Sequence, residues 1–139
     1  MKQVSVFLEN APGRLAEATR ILGEAGHNMH ALTVADTADY GVARIICDDP
    51  EGAARALKER GISAQVHEVC AVAISDKPGD LSELLDVIAV HGFDISYCYC
   101  FVHPLTGGAV NVFRLNSGQC VSTIKEAGYR VLELEDLRA

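Results

Sequence analysis

The sequence is short of positive charge, of long apolar runs and of the motifs that carry the commoner chemistries. Among 139 residues, 12 are Lys or Arg against 19 Asp or Glu, a formal net charge of −7. Phosphate recognition draws on clustered Lys and Arg, so this balance argues against a nucleic-acid partner. It argues equally against docking on anionic lipid, which needs polybasic segments. No apolar run approaches the ~20 residues of a membrane span. The stretch from Met1 to Asn10 lacks the apolar core and small-residue cleavage site of a signal peptide. A soluble, cytoplasmic chain without membrane association is expected. The five cysteines, Cys47, Cys70, Cys98, Cys100 and Cys120, are odd in number and fit reduced thiols better than a disulfide framework. There is no P-loop, no G-x-G-x-x-G and no H-E-x-x-H. The five histidines, His27, His30, His67, His91 and His103, offer no nucleophile–base pair. Catalysis, a metal and a cofactor are therefore not expected.

What the sequence has is ordinary globular composition, 49% hydrophobic and 22% charged, and an internal repeat. Slid by 66 positions, Ala11-Pro12-Gly13-Arg14-Leu15 falls on Lys77-Pro78-Gly79-Asp80-Leu81, and Gly26 falls on Gly92. With one inserted residue, in the turn-like stretch Pro104 to Gly108, Gly41 falls on Gly108 and Lys58-Glu59-Arg60-Gly61 on Lys125-Glu126-Ala127-Gly128. Two domains follow, 1–68 and 69–139, with almost no linker.

Each copy reads in the same order. Val4 to Leu8 alternates as a strand. Leu15, Ala18, Leu22 and Ala25 follow at helical spacing, closed by Gly26. Met29 to Val34 and Val42 to Cys47 are strand-like, with a turn expected at Tyr40-Gly41. Asp49-Pro50 starts a second helix, which buries Ala53, Ala54 and Leu57, and Ser63 to His67 is a last strand. In the second copy Val72 and Ile74 lie in a strand, and Leu81, Leu84, Leu85 and Ile88 form a helical stripe. Ile95 to Val102 and Val110 to Leu115 are strands, Val121, Ile124 and Ala127 lie on a helix, and Val131 to Leu134 is the last strand. The tail, Glu133 to Ala139, is expected to be a strand end and a frayed terminus. The order is β-α-β-β-α-β, so the fold class is α+β: two ferredoxin-like units, each an antiparallel sheet with helices on one face. In the strand Ile95 to Val102, Ile95, Tyr97, Tyr99 and Phe101 share one face and Cys98, Cys100 and Val102 the other. Both faces are apolar, which points to a further interface and hence a homodimer.

The chemistry candidate is the junction of first strand and first helix: Asn10-Ala11-Pro12-Gly13-Arg14-Leu15, repeated as Asp76-Lys77-Pro78-Gly79-Asp80-Leu81. Proline presets φ for the first helical turn, glycine lets a ligand approach the backbone, and the free amides of the helix start favour an anion. An amino-acid carboxylate fits. The same residues make a good turn and helix start with no ligand at all. Arg14 meets either a ligand carboxylate or only solvent. A second polar position, Asn28 after Gly26 and Asp94 after Gly92, lies 18 residues beyond Asn10 and Asp76. After strand, helix and strand it is expected back beside the first loop, unless it only stabilises the glycine exit. His30, just past it, borders any groove there or is a partly exposed strand histidine.

Asn10-Ala11-Pro12-Gly13-Arg14-Leu15 followed by Gly26-His27-Asn28-Met29, in a β-α-β-β-α-β unit, resembles an ACT domain over the whole chain, twice. The resemblance implies paired units that bind a free amino acid in the groove between them. Asn10 and Asn28 match the two ligand-holding Asn of the dehydrogenase regulatory member of that family, and Ala11 to Leu15 would supply amides. Met29 and His30 in copy one and Ile95 in copy two stand at the start of the second strand, which also supplies contacts. Asp76 and Asp94 replace both amides in copy two, so the half-sites are unequal. The expected function is a non-catalytic amino-acid sensor, coupled by linkage to a separate metabolic enzyme. The rivals are a ligand-free assembly module, an enzyme and an RNA-binding module; Tyr97, Tyr99 and Phe101 lack the basic neighbours the last would need. The Cys98-x-Cys100 pair matches no common zinc pattern.

Overall fold

Strands and helices alternate as the repeat predicts, and the reason is the buried face of each. In a computed structural model, which describes residues 1–36 and 40–138, the elements of the first copy are β1 (Lys2–Glu9), α1 (Arg14–Glu24), β2 (Met29–Asp36), β3 (Tyr40–Cys47), α2 (Pro50–Glu59) and β4 (Ser63–Glu68). The second copy has β5 (Cys70–Ile74), α3 (Asp80–Val90), β6 (Ile95–His103), β7 (Gly108–Leu115), α4 (Cys120–Glu126) and β8 (Arg130–Leu132). Lys2–His67 form one compact unit; Glu68–Ala139, with Met1, form the other.

In the first unit the sheet order is β2-β3-β1-β4. Val4, Val6 and Leu8 of β1 and Ala43, Ile45 and Cys47 of β3 point to one face, where Ala18, Ile21 and Leu22 of α1 and Ala53, Ala54 and Leu57 of α2 close the core. Leu22 and Leu57 are fully buried, each contributing about 1.5–3 kcal/mol by burial. Asp49 caps α2 by accepting from the Gly52 N–H at 3.1 Å, and Pro50 opens it. Leu15 and Ala25 stand off the stripe: both are exposed, and Ile21 takes the core position.

The second unit has the order β6-β7-β5-β8, with Cys70, Val72, Phe113, Leu84, Ile88, Cys120 and Ile124 in its core.

Four local expectations change. Tyr40 and Gly41 are not a turn but the start of β3, where Gly41 pairs with Leu8. The repeat shifts by a further residue in the third strand: Leu8 pairs with Gly41, but Ile74 pairs with Ala109. Gly41 is therefore matched by Ala109, and Ala43 by Asn111. A register shift between Ile95 and Tyr97 inserts Ser96 as a bulge, so Ile95 opposes Leu115 on the helix-facing side while Tyr97 opposes Arg114 on the other. The last strand ends at Leu132, and Leu134–Leu137 form a 3-10 turn. That turn is capped reciprocally by Glu133 and Asp136, and Leu137 is 2% exposed. The tail is thus anchored rather than frayed; Ala139 lies outside the described residues.

Candidate functional site

The β1–α1 junction is a type II turn. The Arg14 N–H donates to the Ala11 carbonyl at 3.4 Å, and Gly13, third in the turn, has φ 86°. Copy two repeats it: the Asp80 N–H donates to the Lys77 carbonyl at 3.2 Å and Gly79 has φ 94°. The turn itself therefore requires the glycine. No side chain caps α1 or α3, which leaves the first amides of each helix, those of Leu15 and Ala16 in copy one, without intrahelical acceptors.

Beside this turn in copy one lies a cavity of about 350 Å³. Leu8, Ala11, Pro12, Leu15 and Val34 give it apolar walls; Glu9, Asn10 and Arg14 supply polar lining, and Gly41 completes it. A Cβ on Gly41 would meet Asn10 Oδ1 at 3.6 Å and Val34 Cγ1 at 3.9 Å, so the missing side chain leaves a notch there. Asn10 Nδ2 donates to Asp36 Oδ1 at 2.7 Å. Arg14 pairs with Glu9 at 3.3 Å and with Glu17 at 3.2 Å; these exposed pairs add little stability, but they already give the guanidinium two carboxylates.

The second polar position does not join this cavity. Within the unit, β2 runs parallel to β1 with β3 between them, because the strand–helix–strand crossover brings the chain back to the level where β1 begins. Met29 therefore lies opposite Cys47, at one end of β3, and Asp36 opposite Gly41, at the other. Seven residues of strand separate those levels by roughly 23 Å. Asn28 is exposed at the far end, Met29 packs on the core, and His30 Nε2 lies 2.7 Å from Asp48 Oδ1.

In copy two Asp76, Lys77, Pro78 and Gly79 are exposed, as is Leu81. Ser75 Oγ donates to the Asp80 carboxylate, a contact across the turn where copy one has Glu9 and Arg14. Ala109 puts a methyl where copy one has Gly41. Asp94 and Ile95 again lie at the far end, with the Asp94 N–H donating to Asn116 Oδ1 at 3.0 Å and Ile95 opposite Leu115. A cavity of about 340 Å³ beside this turn is lined by Ser75, Asp80, Glu83 and Tyr129 among others. Desolvation first, and then Glu83, Asp80 and Asp86, push the Tyr129 phenol up. The two turns thus share a backbone and differ in their side chains.

Asp36, Val34 and Gly41 were not among the sequence candidates. A glycine inside a strand is the usable signal, since it marks a close approach or a gap. All five cysteines are free thiols. Among the described residues no three His, Cys, Asp or Glu side chains group to hold a metal ion, and no helix is long and apolar enough to cross a membrane.

A family model, ACT domain pair, matches residues 1–137. The chain belongs to the ACT domain pair family. A crystallised protein of Bacteroides thetaiotaomicron, BT0572, is 34% identical and covers 98% of this chain and 94% of its own, with a TM-score of 0.88. The ligand-free regulatory subunit of aspartate kinase from Thermus thermophilus is 14% identical, with a TM-score of 0.66 over 91% of this ACT pair and 89% of its own chain. The corresponding subunit from Thermus flavus is 15% identical, with a TM-score of 0.63 over 91% of each. At those identities the last two share the fold alone. No curated protein matches the sequence.

Proposed function

We propose that this ACT pair is a non-catalytic, cytoplasmic regulatory protein that binds a free amino acid in the groove between paired ACT units contributed by two copies of the chain. The cavity at Asn10 carries the reading: it stands at an uncapped helix start, with room beside the backbone at Gly41, and its lining residue Asn10 is bonded to Asp36. The α-carboxylate meets the α1 amides and the α-ammonium meets Asp36.

The second copy of the chain supplies what one unit separates. The strand β2 is an edge, and an edge is a template for pairing. Antiparallel pairing of two β2 strands about a two-fold axis near Leu32 sets Asn28 of one chain opposite Asp36 of the other, and so beside the other chain's Asn10. It also covers Leu32, which is 42% exposed. A homodimer with two equivalent grooves results, and ligand-dependent packing of the pair is what a separate metabolic enzyme would read.

The assembly-module reading keeps one observation of its own: Arg14 is paired with Glu9 and Glu17 and Gly13 is needed by the turn, so neither residue requires a ligand.

A thermal-shift panel of amino acids separates the two. A ligand at about 100 times its dissociation constant adds roughly 2.7 kcal/mol of stability. Asn10→Ala and Asn28→Ala should each abolish the shift without unfolding the chain. Refolded together, the two variants should recover part of it, because mixed dimers rebuild one groove from two intact asparagines. If no amino acid at millimolar concentration moves the melting point, the assembly reading stands instead.

A further inference from the structure

The walls of the Asn10 cavity name the kind of amino acid it takes. The polar groups come in two pairs: Asn10 with Asp36 at the end of β2, and Glu9 with Arg14 toward β4. The Glu9 carboxylate is matched by Arg14, whereas Asp36 accepts from a neutral amide. Asp36 is therefore the carboxylate suited to an α-ammonium. The other lining side chains are hydrocarbon, with the Gly41 notch among them. Leu15 is 37% and Val34 49% exposed although both are large and apolar, and Leu8 backs the cavity between them. In α1 the core positions Ala18, Ile21 and Leu22 are buried, so Leu15, off that stripe, is an apolar side chain that the unit's own core leaves uncovered.

We infer that the Asn10 cavity selects an α-amino acid with an unbranched or branched aliphatic side chain, laid on Leu15 and Val34 and reaching into the Gly41 notch. This rests on the reading of the cavity as an amino-acid site. Copy two keeps Leu81 at the position of Leu15 but differs elsewhere: Cys100 stands at the position of Val34, Ala109 at that of Gly41, and Asp80 at that of Arg14. The selection therefore belongs to copy one.

The test is calorimetric titration of the full chain with glycine, L-alanine, L-2-aminobutyrate, L-norvaline and L-leucine, beside L-serine, L-aspartate and L-lysine. Each methylene moved from water onto the apolar wall should raise affinity about fourfold, until the side chain outgrows the notch. Gly41→Ala places a methyl at ordinary contact distance from Asn10 and Val34; it should weaken L-norvaline and L-leucine severalfold more than it weakens L-alanine. Val34→Ala should flatten the rise along the series and checks the same wall should Gly41→Ala not fold. If L-serine, L-aspartate or L-lysine binds more tightly than L-norvaline, the aliphatic assignment falls while the amino-acid site survives. If none of the eight binds, the site itself falls and the assignment with it.

Discussion

Asn10 and Asp36 are 26 residues apart in sequence and joined by a 2.7 Å hydrogen bond, Asn10 Nδ2 donating to Asp36 Oδ1. The bond ties the β1–α1 loop to the end of the edge strand β2, so the loop and the edge form one surface. Asp36 is the group assigned to the ligand's ammonium. Removing a hydrogen bond to a charged partner costs about 1.5–3 kcal/mol, so Asp36→Ala should weaken amino-acid binding by one to two orders of magnitude in calorimetric titration. Unchanged affinity would remove Asp36 from the site.

The two turn glycines should not tolerate a side chain. Gly13 and Gly79 have φ 86° and 94°, and a Cβ at either meets nothing within 4 Å. The cost is purely conformational, about 1–2 kcal/mol for Gly13→Ala and for Gly79→Ala. Gly23, inside α1 with equally open surroundings and no positive φ, is the control: Gly23→Ala should stabilise by about 0.8 kcal/mol. Urea denaturation of the three variants distinguishes turn strain from lost packing.

Thiol reactivity should divide the cysteines. Cys98 and Cys100 are exposed on β6, whereas Cys47, Cys70 and Cys120 are buried. Burial pushes the Cys47 thiol up to about 11 and the Cys70 thiol up to about 12, and pushes Cys120 up as well. A thiolate-directed reagent at neutral pH should label Cys98 and Cys100 rapidly and the other three only on unfolding, as peptide mass mapping will read. A pH dependence follows. The buried thiols stay neutral in the folded chain while unfolded thiols ionise near 9.0, so stability is full below that pH and declines as pH rises above it.

Acid should loosen the tail. The Glu133 N–H, and behind it Arg130, hold the Asp136 carboxyl below its ordinary value of 3.8. A carboxyl lowered in the folded state contributes stability above its unfolded value, and loses that contribution as pH falls through the lower folded one. The Leu137 methyl resonances should therefore move toward random-coil positions at the acid end of a titration, and Asp136→Asn should shift them at neutral pH. Methyls that stay in place in both experiments would separate the anchoring of Leu137 from the cap.

Much of this fold was legible because local signals and burial agree. The spacing of Ala18 and Leu22, the cap at Asp49 before Pro50, and the repeated Pro-Gly turn each specify an element by themselves. What escaped depends on contacts distant in sequence. The 3-10 turn at Leu134–Leu137 needs a place to bury Leu137. The bulge at Ser96 and the register that matches Gly41 with Ala109 are properties of strand pairing, which residue spacing does not encode. The separation of Asn28 from Asn10 follows from the crossover: the turn residues were readable, but their distance from the second polar position depends on which strand lies between. Asp36 escaped because a lone acid near a hairpin end has no pattern until Asn10 is placed beside it.

The most direct test of the amino-acid site is an NMR titration of the backbone amides with L-norvaline at millimolar concentration. The account predicts saturable shifts at the amides of residues 10–16 other than Pro12, at Val34 to Asp36 and Gly41, and at Asn28 through the partner chain, with the amides of residues 76–82 essentially still. Shifts confined to residues 76–82, or no saturable shift anywhere with L-norvaline or with any of the other seven amino acids, would contradict it.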